Sequence, residues 1–448
     1  MIKKITKVKS FLLLLVVVLS TMVFPQNADS LNQSKLYPFV VDSISISGNE
    51  ITEEFIILRE LNFVIGDTLT QDNSFYNRER VYSLGIFNQV NFIPAKIDSV
   101  NILNINVEES WYIYPIPYLE LKGDDSDKLS YGAYLRFKNF RGRNEDLTAL
   151  IAFGYDPAFY ISYYNPNISG TENIFFGSTI GYSDVSNKSQ TAANLYGQNF
   201  SQKYITVSIL AGKRFDLYNR LFLSSGFSYI ETPFFIPGVN ASNNRIDNLV
   251  NIGIGYTHDT RDLSQFPQDG IYSSLNYSLK GLGIDDINYS VASIDFREYQ
   301  KLFGDLIIKW RLASRFTFGD NIPYYDLSII GYGEKVRGHY SKKFEGNDYY
   351  LGSIEFYYPI IEEINIDLTF IPILPDQLLS YRVGFYTQIF AETGMAKLNS
   401  EPFALNKFNS GYGIGITCLI LPYQILRVEV AFDEKMETEF ILNLGISF

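Results

Sequence analysis

The chain has 448 residues and a formal net charge of -12, with 34 Tyr and 35 Phe against 2 Trp, two His and a single Cys. An acidic chain lacks the basic surface that nucleic-acid binding needs, so no nucleic-acid partner is expected. Cys418 alone cannot close an intrachain disulfide or build a cysteine metal site, and His258 and His339 leave little for histidine-based catalysis.

The first residues, MIKKITKVKSFLLLLVVVLSTMVFPQN, are four lysines followed by an apolar run from Phe11 to Leu19. That run is short for a bilayer span and suits the core of a signal peptide; an uncleaved anchor is the alternative. Residues 1–26 are therefore expected to be a signal peptide, with cleavage between Ser20 and Asn27, and residues 27–37 a linker. No later stretch offers about 18 consecutive apolar residues, so any further membrane residence has to be as strands.

Residues 38–110 read as a small α+β domain. FVVDSISISGNE alternates as a strand and ends at the Gly48–Asn49 turn. Thr52 has the position of a helix N-cap, with Glu53 and Glu54 in the first turn, where the helix dipole favours anions. Thr70 opens a second helix, TQDNSFYNRERVYSLG, with Gly85 placed as its C-cap. Two strands close the domain, QVNFIPAKI and SVNILNINVEE. This strand–helix–helix–strand–strand order resembles a POTRA domain, through GNEIT at Gly48–Thr52, RERVYSLGIFNQV at Arg78–Val90 and VEE at Val107–Glu109. The resemblance implies a periplasmic module whose edge strand pairs with an extended client peptide, or one that only spaces and orients the C-terminal part of the chain.

From Trp111 to Phe448 segments of about ten residues alternate apolar and polar side chains between Gly, Asn, Asp and Pro clusters. In FILNLGISF, Phe440, Leu442, Leu444, Ile446 and Phe448 share one face, as a C-terminal strand signal ending in an aromatic girdle would. In LRVEVAFD, Arg427, Glu429 and Asp433 lie opposite Leu426, Val428, Val430 and Phe432. Charged groups on the second face suit a wet lumen. The expected fold is mainly β: an antiparallel transmembrane barrel of about 16 strands over 111–448, closed because an unpaired edge in lipid has nowhere to place its backbone groups. The opening strand WYIYPIPYLEL carries Pro115 and Pro117, which have no backbone donor and belong at an edge or in a stiff linker.

Landmarks in this region resemble the BamA/TamA family of outer-membrane assembly proteins, the bacterial surface-antigen family. They are YGAYLRFKNFRGRNEDL at Tyr131–Leu147, THDTRDLSQFPQDGIYSSL at Thr257–Leu275, VRGH at Val336–His339, LGSIEFYYPI at Leu351–Ile360 and IFAETGMA at Ile389–Ala396. Asp259, Arg261, Asp262, Pro267 and Gly270 form the most distinctive of these, a strand-end turn. The resemblance implies that the loop carrying Val336, Arg337, Gly338 and His339 folds back into the lumen, where Arg337 meets Glu355 and Glu392. A planar guanidinium with five donors suits that task. Two positions depart from the family: His339 stands where an aromatic is common, and Glu392 where aspartate is usual. Lys335, Lys342 and Lys343 read as solvated rim charges.

Neither a nucleophile–histidine–acid set, a phosphate loop nor a metal motif is readable, so no enzymatic activity, cofactor or metal is expected. The resemblance implies a bacterial outer-membrane protein with its N-terminal domain in the periplasm. It would act in assembly, insertion or translocation of client polypeptides. Its partners would be outer-membrane lipids, unfolded or exported clients, and periplasmic chaperones or accessory lipoproteins. The alternatives are a polypeptide-secretion pore and a passive anchor or scaffold for a surface complex. A single POTRA-like domain departs from assembly factors, which often carry several, and from secretion pores, which usually carry two; it favours a specialised role.

Overall fold

A computed structural model describes residues 36–121, 128–235, 237, 239–319 and 321–446. The expected signal peptide, all but the last residues of the linker, and Phe448 lie outside the described residues. Those described divide into two compact units, one of residues 36–45, 63–75 and 92–105, the other of 46–62, 76–91 and 106–446.

The N-terminal elements run β1 (Phe39–Val40), β2 (Ser43–Ser47), α1 (Glu54–Leu58), β3 (Thr68–Leu69), α2 (Gln71–Tyr82), β4 (Phe87–Ile97) and β5 (Val100–Glu109). β2, β5 and β4 make a three-stranded sheet in that order, which is the POTRA-like arrangement. The alternating run from Phe39 is not one strand, however. β1 pairs with β3, while Asp42 N–H donates to Asn101 O at 3.0 Å and its carboxylate accepts from Asn101 N–H at 2.8 Å. The chain changes partner at Val41–Asp42, and the strand breaks there.

The cap assignment of Thr52 is also corrected. Glu53 is the N-cap residue of α1, whereas Thr52 N–H and Oγ1 both donate to Glu109 Oε1, at 2.7 and 2.6 Å. Thr52 thus ties GNEIT to the closing VEE, and a carboxylate competes successfully for the hydroxyl that would have capped the helix. Thr70 does cap α2, its Oγ1 accepting from Asn73 N–H at 3.2 Å, and Gly85 N–H donates to Tyr82 O at 3.0 Å where that helix ends.

The second unit is dominated by a sheet of 16 antiparallel strands, each paired with its sequence neighbour. Its first half is β6 (Ile113–Leu121), β7 (Leu129–Phe140), β8 (Glu145–Gly154), β9 (Ala158–Asn165), β10 (Ile174–Ser186), β11 (Ser201–Arg214), β12 (Asn219–Glu231) and β13 (Ile246–Asp259). Its second half is β14 (Gly270–Lys280), β15 (Tyr289–Lys301), β16 (Ile307–Phe318), β19 (Asp348–Asp367), β20 (Ser380–Lys397), β21 (Asn409–Leu421), β22 (Gln424–Asp433) and β23 (Thr438–Leu444). A short hairpin, β17 (Ser328–Ile330) and β18 (Phe344–Gly346), lies in the loop between β16 and β19.

β6 and β23 are the sheet's margins, and no backbone ladder joins them among the described residues. The sheet nevertheless curls round: Trp111 N–H, just before β6, donates to Tyr423 Oη in the β21–β22 turn at 3.5 Å, and the Tyr114 and Tyr423 rings lie 6.4 Å apart. Pro115 and Pro117 stand within β6, opposite Leu135 and Ala133, so they belong to the edge strand and not to a linker.

Period-two alternation sets the two faces. Outward residues such as Val207 and Ile209, Ile252 and Ile254, and Leu275, Tyr277 and Leu279 are exposed, and Phe440, Leu442 and Leu444 are 81%, 74% and 65% exposed. Inward residues such as Lys309, Glu355, Gln388, Arg427 and Glu429 are buried. An apolar exterior around a polar interior is stable when the exterior meets hydrocarbon. Ile446 falls outside this pattern, because β23 ends at Leu444 and Gly445 turns the chain at φ +95°. No helix among the described residues is long and apolar enough to cross a membrane.

Candidate functional site

The loop between β16 and β19 is anchored by packing before any charge is considered. Val336 is fully buried in a cluster with Ala313, Ile330 and Leu351, against Phe344, Tyr349 and Ala396. That cluster fixes the level at which the next residue, Arg337, enters the bore. Arg337 is 3% exposed, its guanidinium lying 3.6 Å over the Phe390 ring.

Three carboxylates meet it. Nη2 donates to Glu355 and to Glu392 Oε1 (2.5 Å), and Nη1 to Glu429 Oε1 (2.6 Å). The backbone N–H of Arg337 also donates to Glu392 Oε2 at 2.8 Å. The longer side chain at Glu392 therefore bridges the loop's side chain and its backbone. Lys309 lies 2.8 Å from Glu355, and Arg427 3.1 Å from Glu429, so three cations balance three anions. Tyr357 Oη donates to Glu355, and Gln388 Nε2 to Glu429. Charges this deep tolerate burial only when paired and hydrogen-bonded in this way.

The sequence reading brings together Arg337, Glu355 and Glu392; it misses Glu429, Lys309, Arg427 and Gln388. The missing signal was register. Lys309 stands directly opposite Glu355 in the β16–β19 ladder, and Glu429, lumen-facing by alternation alone, meets Arg337 only because the fold brings β22 to the loop. Gly338 takes φ +92° and its N–H donates to Glu439 Oε2 at 3.1 Å, as does Tyr340 N–H at 2.9 Å. The loop's backbone passes so close to β21 that a Cβ on Gly411 would sit 1.7 Å from Arg337 O. Gly411→Ala is expected to lift the loop off the wall while leaving the strands paired. It should speed hydrogen exchange at 336–341, and unchanged protection there would show that the wall yields instead.

Around this core the loop's remaining groups spread to the rim. His339 Nε2 lies 2.9 Å from Glu434 Oε2, Lys342 Nζ 3.2 Å from Asp433 Oδ2, and Lys335 Nζ 3.8 Å from the Tyr340 ring centroid. Lys343 is exposed.

The turn after β13 forms a second constellation at the opposite end of the sheet. Arg261 is bidentate to Asp259, both bonds 2.8 Å, and its guanidinium lies 4.7 Å from the Tyr272 ring. Asp262 Oδ1 accepts from the N–H groups of Leu263, Gln268 and Asp269, so one carboxylate organises the whole turn around Pro267 up to Gly270, where β14 starts. Burial, with Glu79 nearby adding to it, pushes the Asp262 carboxyl up to about 6 against those N–H donors. Phe266 points inward onto Tyr386 and Tyr357, at 4.7 and 5.5 Å.

The last turns of α2 rest on this turn. Tyr76 Oη donates to Thr260 O, Arg80 Nη1 to Arg261 O, and Ser264 N–H to Ser83 Oγ, at 3.1, 3.3 and 2.9 Å. Two buried acids complete the contact. Glu60 accepts from Arg214 Nη1 and Nη2 at 2.6 and 2.9 Å, and Glu79 from Arg382 Nη1 at 2.6 Å. Burial alone would raise both carboxyls. Arg214, with Arg80 and Arg59, holds Glu60 below its ordinary value, and Arg382 with Arg78 does the same for Glu79.

Comparison with known proteins matches residues 139–448 to the Omp85 superfamily domain and residues 39–110 to the surface antigen variable number repeat, a POTRA module. The fold is similar to BamA from Haemophilus ducreyi lacking POTRA domains 1-3 (16% identity, 91% of this chain and 84% of that one, TM-score 0.53). It is also similar to CdiB from Escherichia coli (10% identity, 90% and 75%, TM-score 0.52).

Proposed function

The chain belongs to the Omp85 superfamily, and on that footing we propose that it works at the bacterial outer membrane, inserting or translocating client polypeptides, with its N-terminal domain in the periplasm. The observation that carries this reading is the lumen loop, which Arg337 ties to Glu355, Glu392 and Glu429 across space that a passive solute channel would leave open. The work is non-covalent. An exposed edge strand pairs with an extended client segment, and the margins of the sheet guide it toward lipid. Residues Val336, Arg337, Gly338 and His339 with Glu355 and Glu392 act as the loop lock. Asp259, Arg261, Asp262, Pro267 and Gly270 act as the seat for α2, and Phe440, Leu442 and Leu444 as the lipid-facing end strand.

Photo-crosslinkers placed in cells at Val40, at Ser47 and along Val100–Val107 test this. Capture of unfolded barrel precursors is the expected result, and capture of one exported polypeptide would assign the chain to secretion. Capture of folded neighbours alone, with normal levels of other barrels after depletion, would leave only an anchor and end the proposal.

A further inference from the structure

We propose that His339, Asp433 and Glu434 form a binding site for a divalent transition metal of the zinc class, clamping the lumen loop to the turn between β22 and β23. One donor atom from each of the three side chains lies within 4.8 Å of the others. In a tetrahedral zinc site with bonds of about 2.0–2.2 Å the donors stand roughly 3.4 Å apart, so the widest gap has to close by no more than about 1.4 Å while the 2.9 Å His339–Glu434 contact opens slightly. Glu434 can supply much of that movement, because its side chain is 45% exposed.

The ring of His339 is 4% exposed, and its Nδ1 is buried with no hydrogen-bond partner among the described residues. Its Nε2 lies near only acceptors, Glu434 Oε2 at 2.9 Å and Ser410 O at 3.2 Å. Nε2 is thus the ring atom turned toward the carboxylates and the one that would take a metal in place of its proton, leaving Nδ1 to carry the ring's N–H. Each carboxylate has one oxygen fixed by backbone: Asp433 Oδ1 accepts from Lys435 and Glu437 N–H, both 2.9 Å, and Glu434 Oε1 accepts from Ser410 N–H at 2.5 Å. The second oxygens, Oδ2 and Oε2, are the ones turned toward the site.

The charge now closest to Asp433 Oδ2 is Lys342 Nζ at 3.2 Å, which also reaches Glu437 at 3.7 Å. Lys342 is 45% exposed on a flexible stem, so its ammonium can withdraw to water as the ion enters. Mixed nitrogen and carboxylate donors with a neutral imidazole favour zinc and its neighbours over magnesium or calcium, with water in the remaining position. Exposed Glu434 marks the entry side. The site would cross-link two segments about a hundred residues apart in sequence, independently of which client the protein handles.

The test is calorimetric titration of chelator-treated full-length protein in detergent with zinc chloride alone. One site per chain is expected. His339→Phe, which keeps a ring against Phe344, should weaken binding at least about 100-fold, since a ligand counts for no less than its outer-shell support. Glu434→Gln, a half-exposed position that leaves the fold intact, should also weaken it, and Lys342→Ala should strengthen it about tenfold by removing a competing charge. Zinc should protect 333–343 from proteolysis in the wild type and not in Glu434→Gln. Wild-type affinity in both His339→Phe and Glu434→Gln, or no saturable binding by the wild type, would overturn the site. Gel mobility with and without boiling checks that each variant is folded.

Discussion

Arg337→Ala is expected to free the lumen loop and cost about 3–5 kcal/mol, the scale for removing one partner from a buried ion cluster. The size reflects the charges left behind. Glu355, Glu392 and Glu429 are all under 10% exposed, and Lys309 and Arg427 are left as the two cations facing three anions. The apolar anchor at Val336 remains, so the strands should stay formed while the loop tip moves. Limited proteolysis in detergent should open new cuts between Gly333 and Lys343, and single-channel conductance in planar bilayers should rise as the bore empties. Arg337→Lys should recover only part of the loss, because a point charge cannot serve three carboxylates and the Phe390 face at once. Digestion identical to wild type would mean that packing alone holds the loop.

The second large effect concerns Glu60. Glu60→Gln should loosen the contact between the α1–α2 segments and the end of the sheet by about 3 kcal/mol, since it leaves Arg214 and Arg80, each under 8% exposed, without their carboxylate. Hydrogen exchange at 54–62 and 76–82 reads this directly. The same contact should respond to pH in two opposing windows. The folded protein holds Glu60 and Glu79 below the ordinary 4.5, so the unfolded chain takes up those protons first; their contribution is whole above 4.5 and falls away as pH drops below it. Asp262 runs the other way. Its carboxyl is raised from 3.8 to about 6, so its contribution is whole below 3.8 and is lost as pH climbs through 6. Protection should therefore peak near pH 4.5 and decline from there to 6. Glu60→Gln should flatten the acid limb and Asp262→Asn the neutral limb; a profile unchanged in both variants would refute the assignment of these limbs.

Much of the fold was written in local pattern. The period-two alternation and the turn clusters gave sixteen strands, because inward and outward residues on each strand face such different surroundings that the chain has to encode them separately. The Thr70 cap and the Gly85 stop were readable for the same reason: both are satisfied by groups within three residues. The features that escaped involve partners distant in sequence. Thr52 has the chemistry of a cap, but Glu109, 57 residues on, takes its hydroxyl. The break at Val41 depends on Asn101, and Glu429 joins Arg337 from 92 positions away. Glu60 and Glu79 carried no signal in the sequence, since nothing near them in the chain announces Arg214 or Arg382. His339 was legible only as a substitution for an aromatic; its acidic neighbours come from the β22–β23 turn, 95 positions on.

The two prolines of β6 have a mechanical consequence. Spaced two apart, Pro115 and Pro117 point their missing donors to the same flank of the strand, and a bond absent from a ladder there forgoes about 1 kcal/mol. If that flank is the one against β7, the strand is stitched to its neighbour with gaps and can be unzipped from it. If it is the open flank, any strand that docks there is basted on, not sewn, and comes away without a power stroke. Either way the first thread of the fabric offers two fewer backbone donors than a strand of its length would supply.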